Sequence, residues 1–153
     1  MQAFITNQII IKASLSKVWS ALTDPDQTQK YMFGCKTVSN WNIGDSLLWI
    51  GQQEGNDIIF VKGFILEIQP NRLLKYTVFD PNNPLIPDLP ENYLNVTYEL
   101  IEKDDHTQLT VTQGDYTKVE DGERRYQESY NKGEAWNPIL IEIKKLVESE
   151  ITT

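Results

Sequence analysis

Few residues in this chain combine the types and spacing that covalent or metal chemistry needs. His106 is the single histidine, and it follows Asp104-Asp105 directly. An imidazole beside carboxylates is the start of a metal set, but a site needs three or four ligands that converge. One His with two adjacent acids reads as a solvated turn, so no metal is expected. Cys35 is the single cysteine. A thiolate nucleophile needs a base beside it, and nothing in the sequence brings His106 to Cys35. The thiol is expected to be a small buried hydrophobe. There is no Gly-rich phosphate loop, no G-x-S-x-G turn and no spaced Cys/His cluster. Paired carboxylates fall on turns or polar faces. No catalytic residue is assigned, no cofactor is implied, and the chain is read as a non-enzyme. Arg124 and Arg125 remain as cations at the start of the last helical segment, suited to an acidic head group.

The aromatic residues are the more informative set. Large side chains are spread over the predicted strands and the final helix, and a sheet packed against a helix can leave space between them. If that space is not filled, it is an apolar pocket with Tyr hydroxyls as polar anchors. The wall candidates are Trp49, Phe64, Tyr76, Tyr98, Tyr130, Trp136 and Leu140. The implied partner is a small apolar or amphipathic ligand.

Several elements must position these side chains. Residues 3–12, AFITNQIIIK, are rich in β-formers and predict a first strand. Leu15, Val18, Trp19 and Leu22 then form one apolar helical stripe, with Ser14 as N-cap. Pro25 ends that helix at Asp24 and restarts another, with Asp24 as cap and Gln27 at the capping-box position. Residues 14–33 thus predict two short helices meeting at a corner, closed by Gly34. Trp19 is expected as a core wedge. Strand-like runs follow at 35–40, 45–51, 58–69, 73–80, 95–102 and 108–113, separated by short polar turns. That spacing predicts an antiparallel meander. Four prolines between residues 81 and 90 exclude helix or central strand there. Leu85, Ile86 and Leu89 within that stretch are candidates for a flap. Residues 121–150 carry the longest helical signal, with Trp136, Ile139, Leu140, Ile143, Leu146 and Val147 on one face. Gly133 weakens this helix and Pro138 cannot donate to the carbonyl of Glu134, which together predict a kink there or two helical pieces.

The chain has 153 residues, which suits one domain over 1–153. Its net charge of −8 argues against nucleic acid and against an anionic membrane surface. No stretch approaches the ~18 apolar residues of a membrane span. A single cysteine and the lack of a secretory leader point to the cytoplasm.

The order of elements, together with "VWSALTDPDQ", "GFILEIQPNRLLKYT", "VTYELIEKDDHTQLTVTQ" and "GEAWNPILIEIKKLVE", resembles the activator of heat-shock-protein ATPase homologue family. That family lies in the START-like, Bet v allergen-like (SRPBCC) superfamily. Two departures stand out. Tyr31-Met32-Phe33 replaces a Trp followed by an aromatic, and Gly133 is separated from Trp136 with Pro138 added. The resemblance implies an α+β helix-grip fold: a curved antiparallel sheet of about six or seven strands wrapped on a long C-terminal helix. It implies hydrophobic-ligand binding. It also implies, as alternatives, a chaperone-associated interaction module or a polyketide cyclase/aromatase-type enzyme, which would act by positioning its substrate.

Overall fold

The computed structural model describes residues 2–149. Strand β1 (Phe4–Ile11) leads into helices α1 (Leu15–Thr23) and α2 (Pro25–Tyr31). Strands β2 (Lys36–Val38), β3 (Ser46–Gln53), β4 (Asn56–Gln69), β5 (Leu73–Val78), β6 (Leu94–Lys103) and β7 (His106–Gly114) follow. Helices α3 (Gly122–Tyr130) and α4 (Asn137–Ser149) come last. The seven strands form one antiparallel curved sheet in the order β1-β7-β6-β5-β4-β3-β2. The first strand therefore closes against the last, and the rest is a meander.

Local chemistry explains the corners. Ser14 caps α1 by accepting from the Lys17 N–H, and Asp24 caps α2 by accepting from the Asp26 N–H with Pro25 next in line. Gly34 is left-handed as expected, but Phe33 is left-handed too (φ 53°) and lies outside α2. Asp104 and Asp105 both take positive φ between Lys103 and its partner His106. That is the two-residue hairpin whose twist matches the flanking strands. Glu54-Gly55 does the same between β3 and β4.

Two irregularities bend β4. Trp49 pairs with Val61 but Ile50 pairs with Ile59, so Phe60 is an extra residue in the strand. An extra residue breaks the in–out alternation and re-aims its neighbours. The second is at Leu66, the extra residue between the pairs Ile65–Tyr76 and Glu67–Lys75. Between the two lies Gly63, where an added Cβ would lie 1.6 Å from the carbonyl oxygen of Thr77. Only glycine lets β4 pass the backbone of β5 that closely.

The core lies between the sheet and α4. Leu47, Ile65, Leu74, Val96, Leu109 and Val111 face Leu140, Ile143 and Val147, with Val18, Ala21 and Leu22 of α1 sealing one end. Both short helices touch α4. Trp19 differs from expectation: it is partly buried and packs against the core's edge, while Val18 and Leu22 fill the interior. A smaller cluster of Ile5, Leu94, Tyr116 and Tyr126 lies apart from the main core.

The final helical stretch is two pieces, as one of the expected alternatives has it, and the break falls around Gly133 rather than at Pro138. Asn131, Lys132, Gly133 and Ala135 all have positive φ, so the chain turns between α3 and α4. Pro138 sits in the first turn of α4, where its missing N–H would have no helical partner anyway. The proline-rich stretch also departs from a flap. Ile86 is buried, while Leu85 and Leu89 are exposed. The stretch ends in a 3-10 turn, Pro90–Asn92. Asp88 holds it to the sheet through an ion pair with Lys62 and a hydrogen bond from the Tyr93 hydroxyl.

Candidate functional site

A cavity of about 490 Å³ lies between the inner face of the sheet and the helical segments. Strands β3 to β6 supply Trp49, Phe60, Val61, Tyr76, Val78 and Val96; α4 and its approach supply Ala135, Trp136 and Ile139. Met32, Phe33 and Cys35 come from the end of α2 and the residues after it. Phe33 is 86% exposed and so marks the rim. The polar contributors are Gln113 of β7 and Ser129 of α3, beside the Tyr76 hydroxyl and the Cys35 thiol.

Each wall element has a local cause. The bulge in β4 turns Phe60 and Val61 to the cavity together, where strict alternation would show only one. Gly51 lies beneath the Phe60 ring, leaving it room next to the Cys35 sulfur. The turn between α3 and α4 lets Trp136 reach over the sheet. The Asn7 side chain accepts from the Trp136 backbone N–H (3.3 Å) and donates to Asn137 (3.2 Å). The Trp136 indole Nε1 donates to Gln113 Oε1 at 2.8 Å. At the far end of α4, Glu148 accepts from the Lys12 N–H and Lys144 donates to the Ile10 carbonyl, each at 2.9 Å. Helix α4 is therefore tied to β1 at both ends.

Three buried phenols support the wall. Tyr76 donates to the Tyr98 hydroxyl at 2.7 Å, and Tyr31 donates to the Ala21 carbonyl at 2.7 Å. Burial pushes the pKa of all three phenols well up, since a phenolate there would be unsolvated. Burial likewise pushes the Cys35 thiol up, away from thiolate reactivity.

Of the aromatic residues singled out in the sequence, Trp49, Tyr76 and Trp136 line the cavity, with the Trp49 and Tyr76 rings 6.3 Å apart. The others lie elsewhere. Phe64 points away from the core and packs by Tyr93, because after the bulge Val61, Gly63 and Ile65 are the inward residues of β4. Tyr98 is screened by Trp136, whose ring meets it edge-on at 6.0 Å. Tyr130 stacks on Tyr126 at the surface, since the α3–α4 turn separates its face from that of Trp136. Leu140 is fully buried in the main core, one turn beyond Trp136.

Leu85 and Leu89 are not among the lining residues. Neither is Arg124, which pairs with Asp121 and Glu128, nor Arg125, whose guanidinium donates to the Glu120 carbonyl. His106 opens β7 just after the Asp104-Asp105 turn, with Nδ1 3.0 Å from the Asp104 carbonyl. No group of three or more potential metal ligands converges among the described residues.

Sequence reasoning missed Phe60, Val61, Gln113, Ser129 and Ile139 as wall residues. Val78 and Val96 carried a usable signal, since each lies two positions from a Tyr on the same strand face. Phe60 required knowledge of the bulge, and Gln113 required the β7 register.

The arrangement can enclose an apolar molecule and offer it few hydrogen bonds. None of the described lining side chains is an acid, a lysine, an arginine or a histidine.

The same architecture occurs in solved structures. ChR145 from Cytophaga hutchinsonii is 30% identical, covers 100% of this chain and 99% of its own, and has a TM-score of 0.73. The Aha1 dimer from Colwellia psychrerythraea shares the fold at 18% identity, over 95% of this chain and 96% of that one, with a TM-score of 0.67. CalU16 from Micromonospora echinospora shares it at 21% identity, over 97% and 78% of the two chains, with a TM-score of 0.65. A comparison with curated proteins finds no match. The model of the Activator of Hsp90 ATPase homolog 1-like protein family matches residues 12–148, and the chain belongs to that family.

Proposed function

We propose that this protein is a non-enzymatic binding domain for a small apolar or amphipathic molecule held between the sheet and α4. The observation that carries the reading is the cavity of about 490 Å³ walled by Trp49, Phe60, Tyr76 and Trp136. That volume falls in the range of small-molecule sites, and the mixture of aromatic wall and sparse polar groups is their usual chemistry. Binding without turnover is supported by a wall with no general base and a thiol kept protonated by burial.

Family membership favours a second reading, a module that engages a chaperone. Native mass spectrometry of the purified protein separates the two. The first reading predicts an adduct of fixed mass, lost on collisional activation and extractable into organic solvent. Protein of bare mass that also fails to take up added diphenylhexatriene would leave the interaction module ahead.

A further inference from the structure

We propose that the bound molecule is uncharged and carries a carbonyl-type oxygen, which the Gln113 side-chain amide and the Ser129 hydroxyl receive; this rests on the ligand-binding reading above. An indole N–H can only donate, so the Gln113 atom 2.8 Å from Trp136 Nε1 is its carbonyl oxygen. That fixes the amide's orientation and leaves its NH₂ group as the outward face. No described residue accepts from it, although Gln113 is half-buried and lines the cavity. Its neighbours in register, Ile5 and Val96, are both buried and apolar. A half-buried amide with two unused N–H groups among apolar neighbours is a preformed donor for a ligand oxygen.

Ser129 lines the same cavity. Behind it lies the fully buried Tyr116 hydroxyl, which faces Ser129 without closing a hydrogen bond. Tyr116 belongs to the cluster that Val78 and Ala135 bridge to the cavity, so the polar groups gather toward that end. The remaining wall is hydrocarbon and aromatic apart from the Cys35 thiol and the Tyr76 hydroxyl, which already donates to Tyr98. It offers no cation to a carboxylate, sulfonate or phosphate, and a net charge of −8 adds a repulsive field. An anion would enter unpaired and lose its hydration. A neutral ketone, amide or ester oxygen would exchange water for the Gln113 N–H.

Three fluorescent naphthalenes of one shape test this: a dimethylaminonaphthalene bearing a propionyl group, the same ring with propyl, and the same ring with a propionate carboxylate. In the unmodified protein the ketone should bind at least as tightly as the propyl compound, and at least about tenfold more tightly than the carboxylate. Gln113→Met keeps the volume and removes the donor, together with the acceptor for the Trp136 indole, a loss that both neutral probes meet alike. The variant should weaken the ketone by about tenfold more than the propyl compound. A ketone bound about tenfold more weakly than the propyl compound by the unmodified protein overturns the proposal without any variant. So does a carboxylate that binds tightest, or a Gln113→Met effect equal for both neutral probes. In all of these the propyl compound still binds and the binding reading stands. Failure of all three to bind overturns that reading itself.

Discussion

Three phenols show how a single residue type ties stability to pH in this fold. Tyr31, Tyr76 and Tyr98 are held in the neutral form by burial, so their folded pKa values lie above the ordinary value near 10. The unfolded chain therefore loses protons first as pH rises. Stability contributed by these groups is complete below about pH 10 and declines above it. Each group adds a slope of about 1.4 kcal/mol per pH unit in that window. Tyr76→Phe removes one such group, along with a buried hydrogen bond worth about 1 kcal/mol at neutral pH. Urea unfolding between pH 9 and 11 should show a shallower loss of stability for Tyr76→Phe than for the parent; parallel curves would contradict the assignment. Tyr76 is also a cavity wall residue, so the wall's geometry depends on a neutral, hydrogen-bonded phenol.

At the level of elements, β4 and the α3–α4 turn shape the cavity. The close pass of β4 over β5 leaves no room for a side chain at Gly63, whose Cβ would strike the Thr77 backbone. Gly63→Ala should therefore cost about 3 kcal/mol or more, as forced overpacking does. Gly55→Ala should cost only about 1 kcal/mol: Gly55 has φ +81° and open space around it. Denaturant midpoints of the two variants measure the contrast, and equal midpoints would show that β4 can shift.

These same elements mark the boundary of what sequence made legible. Capping residues, tight turns and apolar stripes identified both short helices, the meander and its antiparallel pairing, because each is a local signal. The bulge at Phe60 has no local signal, and it decides that Phe60 lines the cavity while Phe64 does not. The left-handed residues Asn131, Lys132 and Ala135 are likewise unremarkable in sequence. They shifted the break away from Pro138, left Trp136 over the sheet and put Tyr130 outside.

For the whole molecule, α4 anchored at both ends to β1 holds a helix across a curved sheet without closing the gap. Tyr98, Leu140 and the rest of the core fill one part of that space; Trp49, Phe60 and Trp136 border the part left open. No helix among the described residues is long and apolar enough to cross a membrane. The most direct measurement is a fluorescence titration of native protein with diphenylhexatriene, repeated on Trp136→Ala. Binding should saturate near one dye per chain, and Trp136→Ala should shift the affinity by about tenfold while the protein stays folded. Absence of saturable binding to the native protein, or an affinity indifferent to Trp136, would contradict a ligand site between sheet and helix.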